Sequence, residues 1–121
     1  MSFVVSLSEN GKYILCRVSG PMTATTAIEF SAEMDKLARK HGINRFLTDV
    51  RDAPNVSSVV ENHQFADSDM KALGLQKNVR AAILTRQSDR SHDFVEFATQ
   101  NAGYNVRLFD DEQAAITWLE R

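Results

Sequence analysis

Phe3, Val5 and Leu7 alternate with Val4 and Ser6, and after Asn10-Gly11 the run Tyr13 to Val18 is again rich in strand formers. That alternation predicts a β-hairpin, with Asn10-Gly11 suited to a tight type I′ turn in which both central residues take positive φ. Gly20-Pro21 stops the second strand, because proline donates nothing to a ladder. Thr26 and Glu29 have capping-box spacing, and Ala27, Phe30, Ser31, Met34, Leu37, Ala38 and His41 then recur on one helical face up to Gly42. "INRFLTDV" reads as a strand with Phe46, Thr48 and Val50 on one side and Leu47 and Asp49 on the other.

A second helix is expected from about Val59 to Leu73, on a weaker stripe of Val59, His63, Ala66, Met70 and Leu73. "VRAAILT" is almost continuously apolar, as in an interior parallel strand covered on both faces. Ser91 is placed to cap a third helix, "HDFVEFATQNA", ended by Gly103, and "YNVRLF" is a last strand. Asp110 and Gln113 frame a closing helix with Ala115, Trp118 and Leu119 on its apolar side. The order β-β-α-β-α-β-α-β-α implies an α/β fold: a mixed, mostly parallel sheet with an N-terminal β-hairpin and right-handed βα units. No linker or repeat interrupts it, so residues 1–121 are expected to form a single domain.

Composition changes this picture little. The 121 residues are 43% hydrophobic and 25% charged, which is ordinary for a globular domain able to bury its own core. The formal charge is −2 with both signs interspersed, so no basic face exists for nucleic acid. The densest basic stretch, Lys36, Arg39, Lys40 and Arg45, reads as the solvated end of the first helix, where cations suit the dipole. No apolar run reaches the roughly 20 residues of a bilayer span, and the start lacks a secretory pattern, so the expected location is the cytoplasm.

Candidate chemistry is sparse. Cys16 is the lone cysteine and sits in a strand as a small apolar filler, so neither a disulfide nor a thiolate metal cluster is expected. His41, His63 and His92 match no metal-binding spacing. Ser91, His92 and Asp93 are triad residue types, but adjacent helical positions diverge and build no triad. Without a phosphate loop or nucleophile elbow, no cofactor and no enzyme are indicated. In an open α/β sheet, ligands favour the crevice beyond the C-terminal ends of the strands. Those ends carry Asp49, Arg51 and Asp52, then Thr85, Arg86, Ser88, Asp89 and Arg90, then Asp110 and Asp111. An enzyme would need such groups to converge, Asp49 with Arg51 or Arg86 for example.

Three stretches carry a resemblance: "VSGPMT" ahead of the first helix, "FLTDVRD" at the end of the next strand, and the terminal "FDDEQAAITWL". Together they resemble the SpoIIAA-like family of the STAS fold (sulfate transporter and anti-sigma-factor antagonist domains) along essentially the whole chain. The resemblance implies a STAS/SpoIIAA-like fold and a non-enzymatic role in bacterial signalling. In antagonist members, Asp-Ser-Ser-Gly follows the acidic strand, and a serine there is phosphorylated by the anti-sigma kinase. Asp49 matches the strand-end acid, and Ser57 and Ser58 fall at about the right distance beyond it. Asn55-Val56 stands where an acid would be expected, and Val59 where the glycine would be.

Ser58-Val59-Val60-Glu61 is also a capping box, so the hydroxyl has a structural use as well. The expected function is a protein-binding module whose site lies at residues 55–61. Asp49, Arg51, Asn55, Ser57, Ser58 and Glu61 are its candidate residues, and a kinase or regulator is the partner. The alternative is an apolar small molecule or lipid held beneath the second helix, where Val56, Val59, Val60, Phe65, Met70, Leu73 and Leu75 cluster. An exposed hairpin edge would leave a homodimer open.

Overall fold

The computed structural model describes residues 2–64, 68 and 78–121. Five strands form one sheet in sequence order: β1 (Ser2–Leu7), β2 (Ile14–Ser19), β3 (Arg45–Asp52), β4 (Arg80–Leu84) and β5 (Asn105–Phe109). β1 pairs antiparallel with β2, and every later pairing is parallel. The described helices are α1 (Ala24–His41), α2 (Val59–Gln64), α3 (Asp93–Asn101) and α4 (Glu112–Glu120). The expected α/β order with a hairpin at its start is therefore present. The remainder of the helix expected to reach Leu73, with Phe65, Ala66, Met70, Leu73 and Leu75, lies outside the described residues.

The period-2 pattern of β3 sorts the two faces. Val50 packs with α1, through Phe30, Met34 and Ala38, and with Ile14, Cys16 and Val18 of β2. Leu47 packs on the other face with Ala82, Leu84 and the Ala115 and Leu119 side of α4. Cys16 is fully buried in the first cluster, and burial pushes its thiol up to about 12, which makes it an inert filler.

Several local expectations are corrected. The hairpin does not close in a two-residue type I′ turn, because only Gly11 takes a positive φ (71°) while Asn10 does not. Residues 8–13 form a wider loop gathered on Ser8, whose hydroxyl accepts from the amides of Lys12 (3.1 Å) and Tyr13 (3.2 Å). That hydroxyl donates to Asn10 Oδ1 at 2.8 Å, so the asparagine contributes its side chain rather than a left-handed backbone.

Helix α1 is capped by Thr23, three residues before the expected Thr26; its Oγ1 accepts from Thr26 N at 3.3 Å. Gly42 ends this helix at φ 67°, as expected. Helix α3 starts from His92 without a side-chain cap, and helix α4 is capped by Asp111 rather than Asp110.

Candidate functional site

The connection from β3 to α2 is built from short side-chain hydrogen bonds. Relative to β2, β3 gains one residue between Asp49 and Asp52, a bulge just before the connection begins. Ala53 is buried, and Met22 N donates to Pro54 O at 2.8 Å while Val56 N donates back to Met22 O at 2.9 Å. Asn55 N donates to Ser91 Oγ at 2.9 Å, and Asn55 Oδ1 accepts from Ser57 N at 3.0 Å. Ser91 thus holds this loop instead of capping α3. Segments 53–57, 20–24 and 91–92 are stitched into one small platform.

The two serines differ. Ser57 is half-buried, and its Oγ accepts from Ala24 N at 2.7 Å, so it satisfies the first turn of α1 from 33 residues away. Ser58 is exposed and forms a reciprocal capping box with Glu61: Glu61 N donates to Ser58 Oγ and Ser58 N to Glu61 Oε1, both at 3.1 Å. The Ser58 amide first, and then its side chain, hold the Glu61 carboxyl below its ordinary value. Val56 and Val60, 58% and 74% exposed, flank this polar turn with apolar surface. Phe97, 60% exposed, lies on α3, the helix beside which α2 packs.

Asp49 and Arg51 belong elsewhere. They lie on the α4 side of the sheet, where Arg51 holds Asp49 through Nε (3.0 Å) and Nη2 (2.8 Å) and reaches Glu112 at 3.1 Å. Burial pushes the Asp49 carboxyl up, but the Arg51 hydrogen bonds and charge outweigh it and leave the group below its ordinary value. Arg86 bonds Asp52 (2.6 Å) and Arg51 O (2.5 Å), again as a structural tie. Of the six candidates, Asn55, Ser57, Ser58 and Glu61 come together, while Asp49 and Arg51 form a separate ion pair.

His92 carries a role that its sequence position did not reveal. It is 1% exposed, and its Nε2 lies 3.0 Å from Ala53 O and 3.8 Å from Asp89 Oδ2. Burial pulls its pKa below the ordinary value, with Ala53 O and the charges of Asp89 and Asp93 offsetting this in part. A neutral ring that donates Nε2–H to Ala53 O fits these contacts. The sequence signal was a histidine at the start of an amphipathic helix, which by itself reads as exposed.

His92 also lines an apolar cavity of about 100 Å³ on the α1 side of the sheet. α1 contributes Phe30 and Met34, β3 contributes Val50, β4 contributes Ile83, and Met22 closes the loop end. A second, open cleft of about 420 Å³ lies where β4 and β5 end, among Arg86, Asp89, Arg90, Arg107 and Asp110. It is polar, and Arg86 and Arg90 are already engaged with Asp52 and Asp93. No group of three or more His, Cys, Asp or Glu side chains converges on a metal-sized site among the described residues.

A family model described as SpoIIAA-like matches residues 13–120 of this chain. Among solved structures, the chain is similar to an uncharacterised protein of the DUF3478 family with a SpoIIAA-like fold from Shewanella loihica PV-4. The two share 21% identity, with 98% of this chain and 92% of that one covered at a TM-score of 0.61. It is also similar to an anti-sigma factor antagonist from Mycobacterium paratuberculosis, at 12% identity, 99% and 96% coverage and a TM-score of 0.59. No curated protein matches significantly. At these identities the structural likenesses establish the fold.

Proposed function

The chain belongs to the SpoIIAA-like family, and from that premise we propose that it is a non-catalytic regulatory module that binds a protein partner through residues 55–61. One observation carries the reading: the turn that opens α2 is exposed, apolar at Val56 and Val60, and fixed from behind by three connected segments. A preorganised surface loses little freedom on binding, and exposed apolar side chains beside polar groups are what a docking face offers. The solved anti-sigma factor antagonist of similar fold supports a protein as the partner.

Within this reading Ser58 is the residue on which a kinase would act. Ser58 is exposed and its Oγ is engaged only in the local cap with Glu61 N, whereas Ser57 is half-buried and its Oγ ties in Ala24 N. A phosphoryl group would add about −1.5 to −2 charges to the docking face. Affinity capture with wild type and Ser58→Glu tests this directly. The reading expects at least one partner to be lost or gained, and identical partner sets would contradict the switch.

A second reading has its own observation, the apolar cavity of about 100 Å³ bounded by α1, β3, β4 and His92. A mostly apolar cavity of this volume approaches the size of one that accepts benzene or xenon. The class of ligand is therefore a compact apolar molecule or the end of a longer chain. Native mass spectrometry of freshly purified protein should retain such a molecule, and extraction with solvent should lower the melting temperature.

A further inference from the structure

We propose that the apolar cavity and the 55–61 surface are coupled, so that a compact apolar ligand in the cavity tightens the docking loop through His92 and Met22. The proposal rests on the second reading above and adds a consequence to it. His92 lines the cavity while its Nε2 bonds Ala53 O at 3.0 Å. Met22 lines it too, while its backbone bonds Pro54 O at 2.8 Å and Val56 N at 2.9 Å. Val50, a third wall residue, accepts from Ala53 N at 3.0 Å.

Three residues thus have one side against the void and the other against the loop. A void deprives its lining of dispersion partners, so these residues are held on one side only. Filling it supplies contacts that exist only while His92 and Met22 stay in place. An opening of the loop that moves either residue then also breaks ligand contacts. That is the differential affinity between two states which any ligand-driven shift requires.

The ligand class follows from size and chemistry. The walls are mostly apolar; His92 is committed to Ala53 O, and the Thr48 and Thr99 hydroxyls bond Met34 Sδ and Val95 O. Ser31 and Tyr104 add a hydroxyl each, and among the described residues no charged side chain lines the space. A single aromatic ring or a short alkyl segment fits, and an ionised group would be buried without a counter-charge.

Benzene serves as the probe, with amide hydrogen exchange as the readout. The amides of Asn55, Val56 and Ser57 are hydrogen-bonded to Ser91 Oγ, Met22 O and Asn55 Oδ1, so each reports on loop opening. At benzene about ten times its dissociation constant, openings that must vacate the site become roughly tenfold rarer, and exchange at these amides slows by that factor. Ala81→Leu, which fills the space from β4, should abolish the effect.

His92→Ala should still bind benzene, as judged by chemical shifts of Phe30 and Ile83, yet lose most of the slowing at residues 55–57. If it does not fold, His92→Leu takes its place: it keeps a wall but no donor for Ala53 O and should likewise lose most of the slowing, whereas His92→Gln, which keeps an N–H, should retain it. Benzene that perturbs the walls while leaving exchange at 55–57 unchanged overturns the coupling and spares the cavity reading. Wild-type protein that shows no binding overturns both. Slowing that persists undiminished in His92→Ala overturns the route through His92.

Discussion

His92 contributes a proton-linked term to stability. Its folded pKa lies below the ordinary value of 6.5, so between the two the unfolded chain holds a proton that the folded chain refuses. Stability is therefore unaffected above about pH 7 and falls as the pH drops through 6.5 toward the folded pKa. His92→Gln removes that proton while keeping a donor for Ala53 O, and His41 and His63 remain in both proteins. Urea midpoints at pH 7.5 and 5.5 should accordingly converge in the variant. An unchanged pH dependence would contradict the buried, neutral ring.

Ser57 and Ser58 also separate at the residue scale. Ser57→Ala leaves Ala24 N without its partner and should lower stability by about 1 kcal/mol, read from the urea midpoint. Ser58→Ala removes an exposed cap at comparable local cost, which should appear as faster amide exchange at Glu61 with little change in global unfolding. This division was only half legible in the sequence. The capping box Ser58–Glu61 is a local pattern and was readable. The bond from Ala24 to Ser57 and the tie from His92 to Ala53 join residues 33 and 39 positions apart, and no local pattern encodes them.

At the scale of elements, period and punctuation carried the fold well. The β3 alternation placed Phe46 and Val50 against Leu47 correctly, and the apolar run at β4 correctly indicated a strand covered on two faces. Caps were misplaced by one to three residues, because Thr23 precedes Thr26, and Asp111 adjoins Asp110, with equally suitable chemistry. The hairpin turn failed for a similar reason: Asn10-Gly11 suits a tight turn, but Ser8 offers its backbone better company.

Gly42 gives a clean test of an element boundary. Its φ is 67°, and an added Cβ would meet nothing within 4 Å. Gly42→Ala therefore carries a conformational penalty alone, about 1 kcal/mol, with α1 intact by circular dichroism. A loss several times larger would mean that the α1–β3 turn is packed more tightly than its geometry shows.

For the whole molecule, the fold leaves two unequal faces. α4 covers one side of the sheet beside Leu47, Ala82 and Leu84, and α1 with α3 bounds the other side around the cavity. The β3–α2 connection, the start of α1 and the start of α3 meet at one corner, and that corner carries the exposed turn of α2. Among the described residues β1 is one edge of the sheet, with Val4 67% exposed. An edge of this kind leaves a homodimer open, and sedimentation across a concentration series with wild type and Val4→Lys would reveal one as a mass shift confined to the wild type.

The central claim is that the partner docks on the α2 turn rather than on the sheet edge. Val60 and Val4 are similarly exposed, at 74% and 67%, and lie in these two different places. A photo-crosslinking amino acid placed at either position in the producing cell compares them directly. The account predicts a discrete crosslinked partner from position 60, weakened by Ser58→Glu, and none from position 4. Crosslinks confined to position 4, or the same adducts from both positions, would contradict it.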